Sequence, residues 1–176
     1  MESIIEGCRK GDGVMQKALY DRFSGKFYVL CCRYMSNNAL AQEVLSDGFL
    51  RVFEQIGNYR GEGSFEGWMR TIFVRCAMKK YRQEQYRQEV CTDDDVELPG
   101  TNGNYDTQMD LRDALMAAMH RLPDIERQAF NLVAVEGYKL EEAADLIEEN
   151  ISTLKSRYYK ALQKMRSMMK NYLEKD

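Results

Sequence analysis

The sequence predicts an all-α fold made of two small helical domains joined by a flexible acidic linker, on three observations. Apolar residues recur at helical spacing over most of the chain, no β-alternation of useful length appears, and only two prolines interrupt its 176 residues. Between the two periodic regions, from about Glu89 to Asp106, the apolar period is lost; Asp93-Asp94-Asp95, Pro99-Gly100 and Gly103-Asn104 there are turn and linker signals. The expected boundaries are a first domain over 1–88, a linker over 89–107 and a second domain over 108–176.

In the first domain, a helix is expected from about Val14 to Met35, with Leu19, Tyr20, Phe23, Phe27 and Leu30 along one side. A second, from about Asn38, buries Leu40, Val44, Gly48, Val52 and Ile56 and turns Gln42, Ser46, Asp47, Arg51 and Glu54 outward. Asn58-Tyr59-Arg60-Gly61-Glu62-Gly63-Ser64 reads as a glycine-rich loop closing on an N-cap at Ser64. The third helix runs from Phe65 to near Gln88, with Phe65, Trp68, Met69, Ile72 and Cys76 as its core stripe. Phe73, Ala77 and Tyr81 add a second apolar line, which calls for a second packing partner, in this chain or in another molecule.

In the second domain, a helix from about Gln108 to Arg121 stops at Leu122-Pro123, and the next runs from Asp124 to about Val135, ending near Gly137. Leu140, Ala143, Ala144 and Ile147 then mark an amphipathic helix of about two turns, followed by the break Glu148-Glu149-Asn150 and a long final helix. Ile151, Leu154, Tyr158, Ala161, Leu162, Met165, Met169 and Tyr172 share the inner face of that helix. A short helix, a tight turn and a longer helix form the helix-turn-helix pattern.

Composition excludes several classes. The five cysteines are odd in number, contain no CxxC pair and accompany a single histidine, His120, so neither a disulfide framework nor a zinc site is expected, and no cofactor set is visible. No apolar run approaches the ~20 residues that span a bilayer, and Met1-Glu2-Ser3-Ile4 lacks a signal-peptide start, so reduced thiols in a cytoplasmic protein are expected. The formal charge is −3, but it is unevenly spread: residues 68–90 carry +4 and 151–173 carry +6, against −6 in each of 91–113 and 124–150. On the final helix, Ser152, Ser156, Tyr159, Lys160 and Gln163 lie off the apolar stripe with Lys155 and Arg157 at its flanks, and Asn150 is placed to cap its start. Cations and hydroxyls so placed can meet phosphates and base edges. The basic residues Arg70, Arg75, Lys79, Lys80, Arg82 and Arg87 of the third helix alternate with Phe73, Tyr81 and Tyr86, which suits unpaired strands whose bases stack on rings.

Taken in order, these segments resemble bacterial sigma-70 family factors. Ala41 to Phe53 resembles region 2.2, and Tyr59-Arg60-Gly61-Glu62-Gly63-Ser64-Phe65-Glu66-Gly67-Trp68-Met69 resembles the region 2.3 loop and tryptophan. Leu122-Pro123 with Arg127-Gln128-Ala129-Phe130, continuing through Glu136 to Ala144 and Thr153 to Arg157, resembles region 4 with its -35-reading helix-turn-helix. Two domains alone, without region 1.1 or region 3, are similar to the extracytoplasmic-function (ECF) group. The resemblance implies a transcription initiation factor with no catalytic residue of its own and no small-molecule substrate. Its partners would be core RNA polymerase, promoter DNA and an anti-sigma factor, with no membrane insertion.

Gln42, Asp47 and Arg51 would dock on the β′ clamp helices, while the second domain would meet the β flap. Asn58, Tyr59, Arg60 and Ser64 of the loop, with Arg70, Arg75, Lys79 and Arg82 of the third helix, would hold the unpaired -10 strand. Ser152, Thr153, Lys155, Ser156, Arg157, Tyr159 and Lys160 would meet the -35 element in the major groove. Arg75 and Lys79 stand where the family usually has Asn and Asp, and Glu148 where its turn often has Gly. The alternative reading is a helix-turn-helix regulator that binds duplex DNA without polymerase, which leaves the loop and Trp68 without a task.

Overall fold

A computed structural model describes residues 1–90 and 111–173, and every element in it is helical. Contacts divide the chain into two units, Met1–Tyr81 and Arg82–Asp176. Most of the expected linker, and the first residues of the expected helix at Gln108, lie outside the described residues.

The first unit opens with α1 (Glu2–Arg9), a helix the apolar pattern alone did not suggest. Helix α2 (Gly13–Tyr34) starts on Asp12, whose carboxylate accepts the backbone N–H groups of Val14 and Met15 at 2.8 and 3.3 Å. Helix α3 (Asn38–Gln55) starts in the same way on Asn37, whose side chain accepts from the Leu40 N–H at 2.9 Å. A 3-10 turn (Ile56–Asn58) leads through the loop to α4 (Phe65–Val90), whose residues up to Tyr81 belong to this unit and the rest to the second. Both apolar lines of α4 are buried within this chain: Met69, Phe73, Val74, Ala77 and Met78 are all essentially inaccessible. Phe73 stacks on Phe27 with ring centroids 4.2 Å apart and meets Phe49 edge-on at 5.3 Å. The second line therefore packs on α2 and α3. Gly48 makes this approach possible, because a Cβ there would overlap the Phe73 ring.

Trp68 departs from the expected core stripe. It is half-buried and packs toward the loop, 5.5 Å from both Tyr59 and Phe65. Leu40 is likewise only half-buried, its place in the core taken by Ala41.

The second unit contains α5 (Leu111–His120), α6 (Asp124–Phe130), α7 (Leu140–Ile147) and α8 (Ile151–Leu173). Ala114, Ala118, Met119, Leu122 and Phe130 pack with Ala161, Met165 and Met169 of α8 to form a core. The expected helix from Asp124 to Val135 is continuous but changes character. After Phe130 it widens into a π-helical turn, Asn131–Val135, with the Glu136 N–H bonded to the Asn131 carbonyl at 2.9 Å. Gly137, at φ +78°, then releases the chain toward α7. Ile151 departs from the expected inner face of α8 and is 45% exposed, whereas Leu154 and Ala161 are fully buried.

Candidate nucleic-acid interface

In the first unit, the loop before α4 is held by its own atoms and by α1. The Tyr59 hydroxyl donates to the Gly63 carbonyl at 2.9 Å, closing a turn in which Gly61 and Gly63 adopt φ +81° and +72°. Arg9 of α1 donates to the Tyr59 carbonyl at 2.5 Å and to the Ile56 carbonyl at 3.4 Å. Nothing in the local pattern announces that contact, which joins residues 50 positions apart. The Ser64 hydroxyl accepts the Gly67 N–H at 3.0 Å, so it caps α4 as expected. Asn58, Arg60 and Ser64 are exposed, and Tyr59 is half-buried in the cluster with Phe65 and Trp68.

Along α4, Arg75 and Lys79 are exposed one turn apart. Arg82, expected beside them, is instead half-buried within the second unit, where its guanidinium donates to the Leu146 carbonyl at 2.6 Å and pairs with Glu148 at 3.2 Å. Arg70 lies 3.9 Å from Glu66, which also pairs with Lys26 at 2.5 Å. Lys80 is turned away from that line and bonds to Glu43 of α3 at 2.5 Å. The outer face of α3 presents Gln42, Asp47 and Arg51, all exposed. Leu50, absent from the expected contacts, stands among them 60% exposed and supplies an apolar centre to a polar face. The charges of Arg51, Asp47 and Lys79 all bear on the Cys76 thiol, whose pKa is raised chiefly by burial. The α3 face and the exposed cations of α4 are thus neighbours around one residue.

In the second unit, α7 is entered through a Glu142 carboxylate that accepts the Lys139 N–H at 2.9 Å. Ala143, Ala144 and Ile147 are buried, as is Leu154 of α8. Glu148 adopts the left-handed conformation (φ 62°, ψ 44°), the geometry that glycine adopts most easily. Asn150 caps α8, its Oδ1 accepting from both the N–H and the hydroxyl of Ser152 at 2.8 Å.

Ser152, Thr153, Lys155, Ser156, Tyr159 and Lys160 are all exposed on the first turns of α8, with the Tyr159 ring 54% accessible and 5.5 Å from that of Tyr158. Arg157 is different. It is half-buried, and its guanidinium pairs with the Glu149 carboxylate in the turn. Lys164, further along the same flank, pairs with Glu126 of α6 at 2.8 Å. Neither pairing carries a local sequence signal.

A helix-turn-helix with an exposed cationic face, in one chain with a helical unit bearing an aromatic loop and a basic helix, defines a DNA-binding protein. Comparison with known proteins narrows the class. The family model for sigma-70 region 2 matches residues 19–87, and that for sigma-70 region 4 matches residues 112–165. The ECF RNA polymerase sigma-E factor of Haemophilus influenzae is 27% identical over 188 residues, covering 98% of this chain and 95% of that protein. CarQ, an RNA polymerase sigma factor of Myxococcus xanthus, is 26% identical over 165 residues, covering 94% and 95%. The fold is shared with the sigma factor RpoE of Bartonella quintana, solved with the anti-sigma factor NepR (TM-score 0.56, 18% identity, 88% of this chain and 96% of that one). It is shared also with CnrH, solved with the cytosolic domain of CnrY (TM-score 0.51, 15% identity, 96% of each chain). The chain belongs to the sigma-70 family, with regions 2 and 4 in the family's order.

Proposed function

We infer that this protein is an ECF-type transcription initiation factor that binds core RNA polymerase and directs it to specific promoters. The observation that carries this reading is the joint presence, in order along one chain, of region 2 with its loop and basic helix and region 4 with its helix-turn-helix. The polymerase performs the chemistry, and the factor supplies recognition. Gln42, Asp47 and Arg51, with Leu50 between them, form the face offered to the β′ clamp helices, and the second unit meets the β flap. Loop residues Asn58, Tyr59 and Arg60 with the exposed Arg75 and Lys79 receive the unpaired -10 strand, where opening a duplex requires a partner for unstacked bases. Lys155, Ser156, Tyr159 and Lys160 enter the major groove of the -35 element. No helix of the described residues is long and apolar enough to cross a membrane, which fits action on polymerase in the cytoplasm. RpoE, which shares this fold, was captured with an anti-sigma factor, and such a protein is the expected antagonist.

The decisive experiment adds the purified protein to core polymerase and a promoter library and maps the start sites. Start sites sharing -10 and -35 elements are expected. Failure to bind core, with duplex binding retained, would instead support a regulator that acts without polymerase.

A further inference from the structure

Four of the six cations of α8 fall into two sets. Lys155 and Lys160 are exposed and, among the described residues, pair with no acidic side chain, whereas Arg157 and Lys164 are engaged by Glu149 and Glu126. At 100° per residue, Arg157 points about 100° from Ser156, toward the flank rather than the centre of the exposed face. Glu149 is fixed there, because its backbone N–H bonds to the Ala144 carbonyl at 3.0 Å at the end of α7. Its side chain is 21% exposed, and its Oε2 is buried with no hydrogen-bond partner.

We propose that Glu149 is a positioning residue that withholds Arg157 from duplex DNA, confining the phosphate contacts of the reading helix to its unpaired cations. The proposal rests on α8 being the DNA-reading helix. Moving Arg157 to a phosphate would strip a half-buried carboxylate of its partner, and a carboxylate left in that state is strongly disfavoured. In exchange the guanidinium would gain a solvent-screened contact at the edge of a groove, so the pair persists. The consequence is functional: the chain carries more cations on α8 than it offers to DNA, and its affinity for arbitrary sequence is held down.

The test uses the full chain and a fluorescent mixed-sequence duplex of about 30 base pairs, titrated at several salt concentrations. Glu149→Gln keeps the shape of the side chain and removes its charge. It is expected to tighten binding severalfold and to steepen the slope of log affinity against log salt by ~0.9, the increment for one added phosphate contact. Introduced together with Arg157→Ala, the same change should leave the slope where Arg157→Ala alone puts it. An unaltered slope for Glu149→Gln, or an equal steepening without Arg157, overturns the proposal. Should Glu149→Gln fail to fold by circular dichroism, the side-chain 15Nε resonance of Arg157 in the unmodified protein decides. It stays in place on adding duplex if Glu149 holds the arginine, and moves if DNA takes it. Lys155→Ala with Lys160→Ala separates the two levels: if that pair leaves the slope unchanged, the reading of α8 itself fails, and the proposal with it.

Discussion

At the scale of single residues, function depends on positions where one atom more or one charge fewer would be felt. Gly48 lets α3 approach α4 until the Phe73 ring fills the space a Cβ would need. Alanine is the better helix former by about 1 kcal/mol, yet overpacking of this kind costs about 1–3 kcal/mol. A Cβ would overlap the Phe73 ring, at the severe end of overpacking, so Gly48→Ala should destabilise the first unit by a net of up to ~2 kcal/mol. Trp68 is the sole tryptophan, so its fluorescence during urea unfolding reports on that unit alone. A variant as stable as the parent would mean that the helices can part freely. Cys31 is fully buried, and burial pushes its thiol up to about 12. An acid whose folded pKa is raised holds its proton longer when folded, so its contribution is intact below the ordinary value near 9 and is lost as pH rises toward 12. At pH 8 in the native protein, Cys31 and the buried Cys8 should resist iodoacetamide while remaining reactive in urea, as peptide mass spectrometry would show. Rapid alkylation of Cys31 in native buffer would contradict this burial.

At the scale of elements, what periodicity can see was visible and what depends on distant partners was not. The caps at Ser64 and Asn150 were legible because a cap is a local bond between a side chain and an N–H two or three residues on. The outward cations of α8 were legible for the same reason, being opposite a regular apolar stripe. Trp68 was not: its spacing fits the core stripe of α4, but the loop folds back so that Tyr59 and Phe65 take the ring to the surface. Arg9 on the loop, Glu149 on Arg157 and Glu126 on Lys164 were also invisible, since a charge pair between elements leaves no mark on either period. The revised position of Trp68 changes what its removal should do. Fully buried Phe or Trp truncations cost about 3–5 kcal/mol, whereas a half-exposed ring resting on two aromatic neighbours should cost ~1–2 kcal/mol. Trp68→Ala is thus expected to stay folded by circular dichroism while opening promoters poorly in permanganate footprinting, and a loss of ~3 kcal/mol or more would return the ring to the core.

At the scale of the whole molecule, a formal charge of −3 conceals two basic faces, and two separate cores carry them. In the first unit Leu19, Phe27, Val52 and Phe73 are buried; in the second, Met119, Leu132, Leu154 and Ala161 are. A chain that reads two DNA elements gains from such a division only if its halves remain linked. Once one unit is bound, a tether of the expected length presents the other at an effective concentration in the ~mM range, far above that of free fragments in solution. Removing residues 91–107 should therefore leave fragments 1–90 and 108–176 each helical and each melting cooperatively. Duplex binding should stay with the second fragment and binding to the β′ clamp helices with the first. Promoter-directed initiation by the mixture should then fall by ~10²-fold or more relative to the intact chain, because the second binding event is no longer intramolecular. A mixture as active as the intact protein would show that the polymerase alone aligns the two units, and an unfolded fragment would show that its core is incomplete.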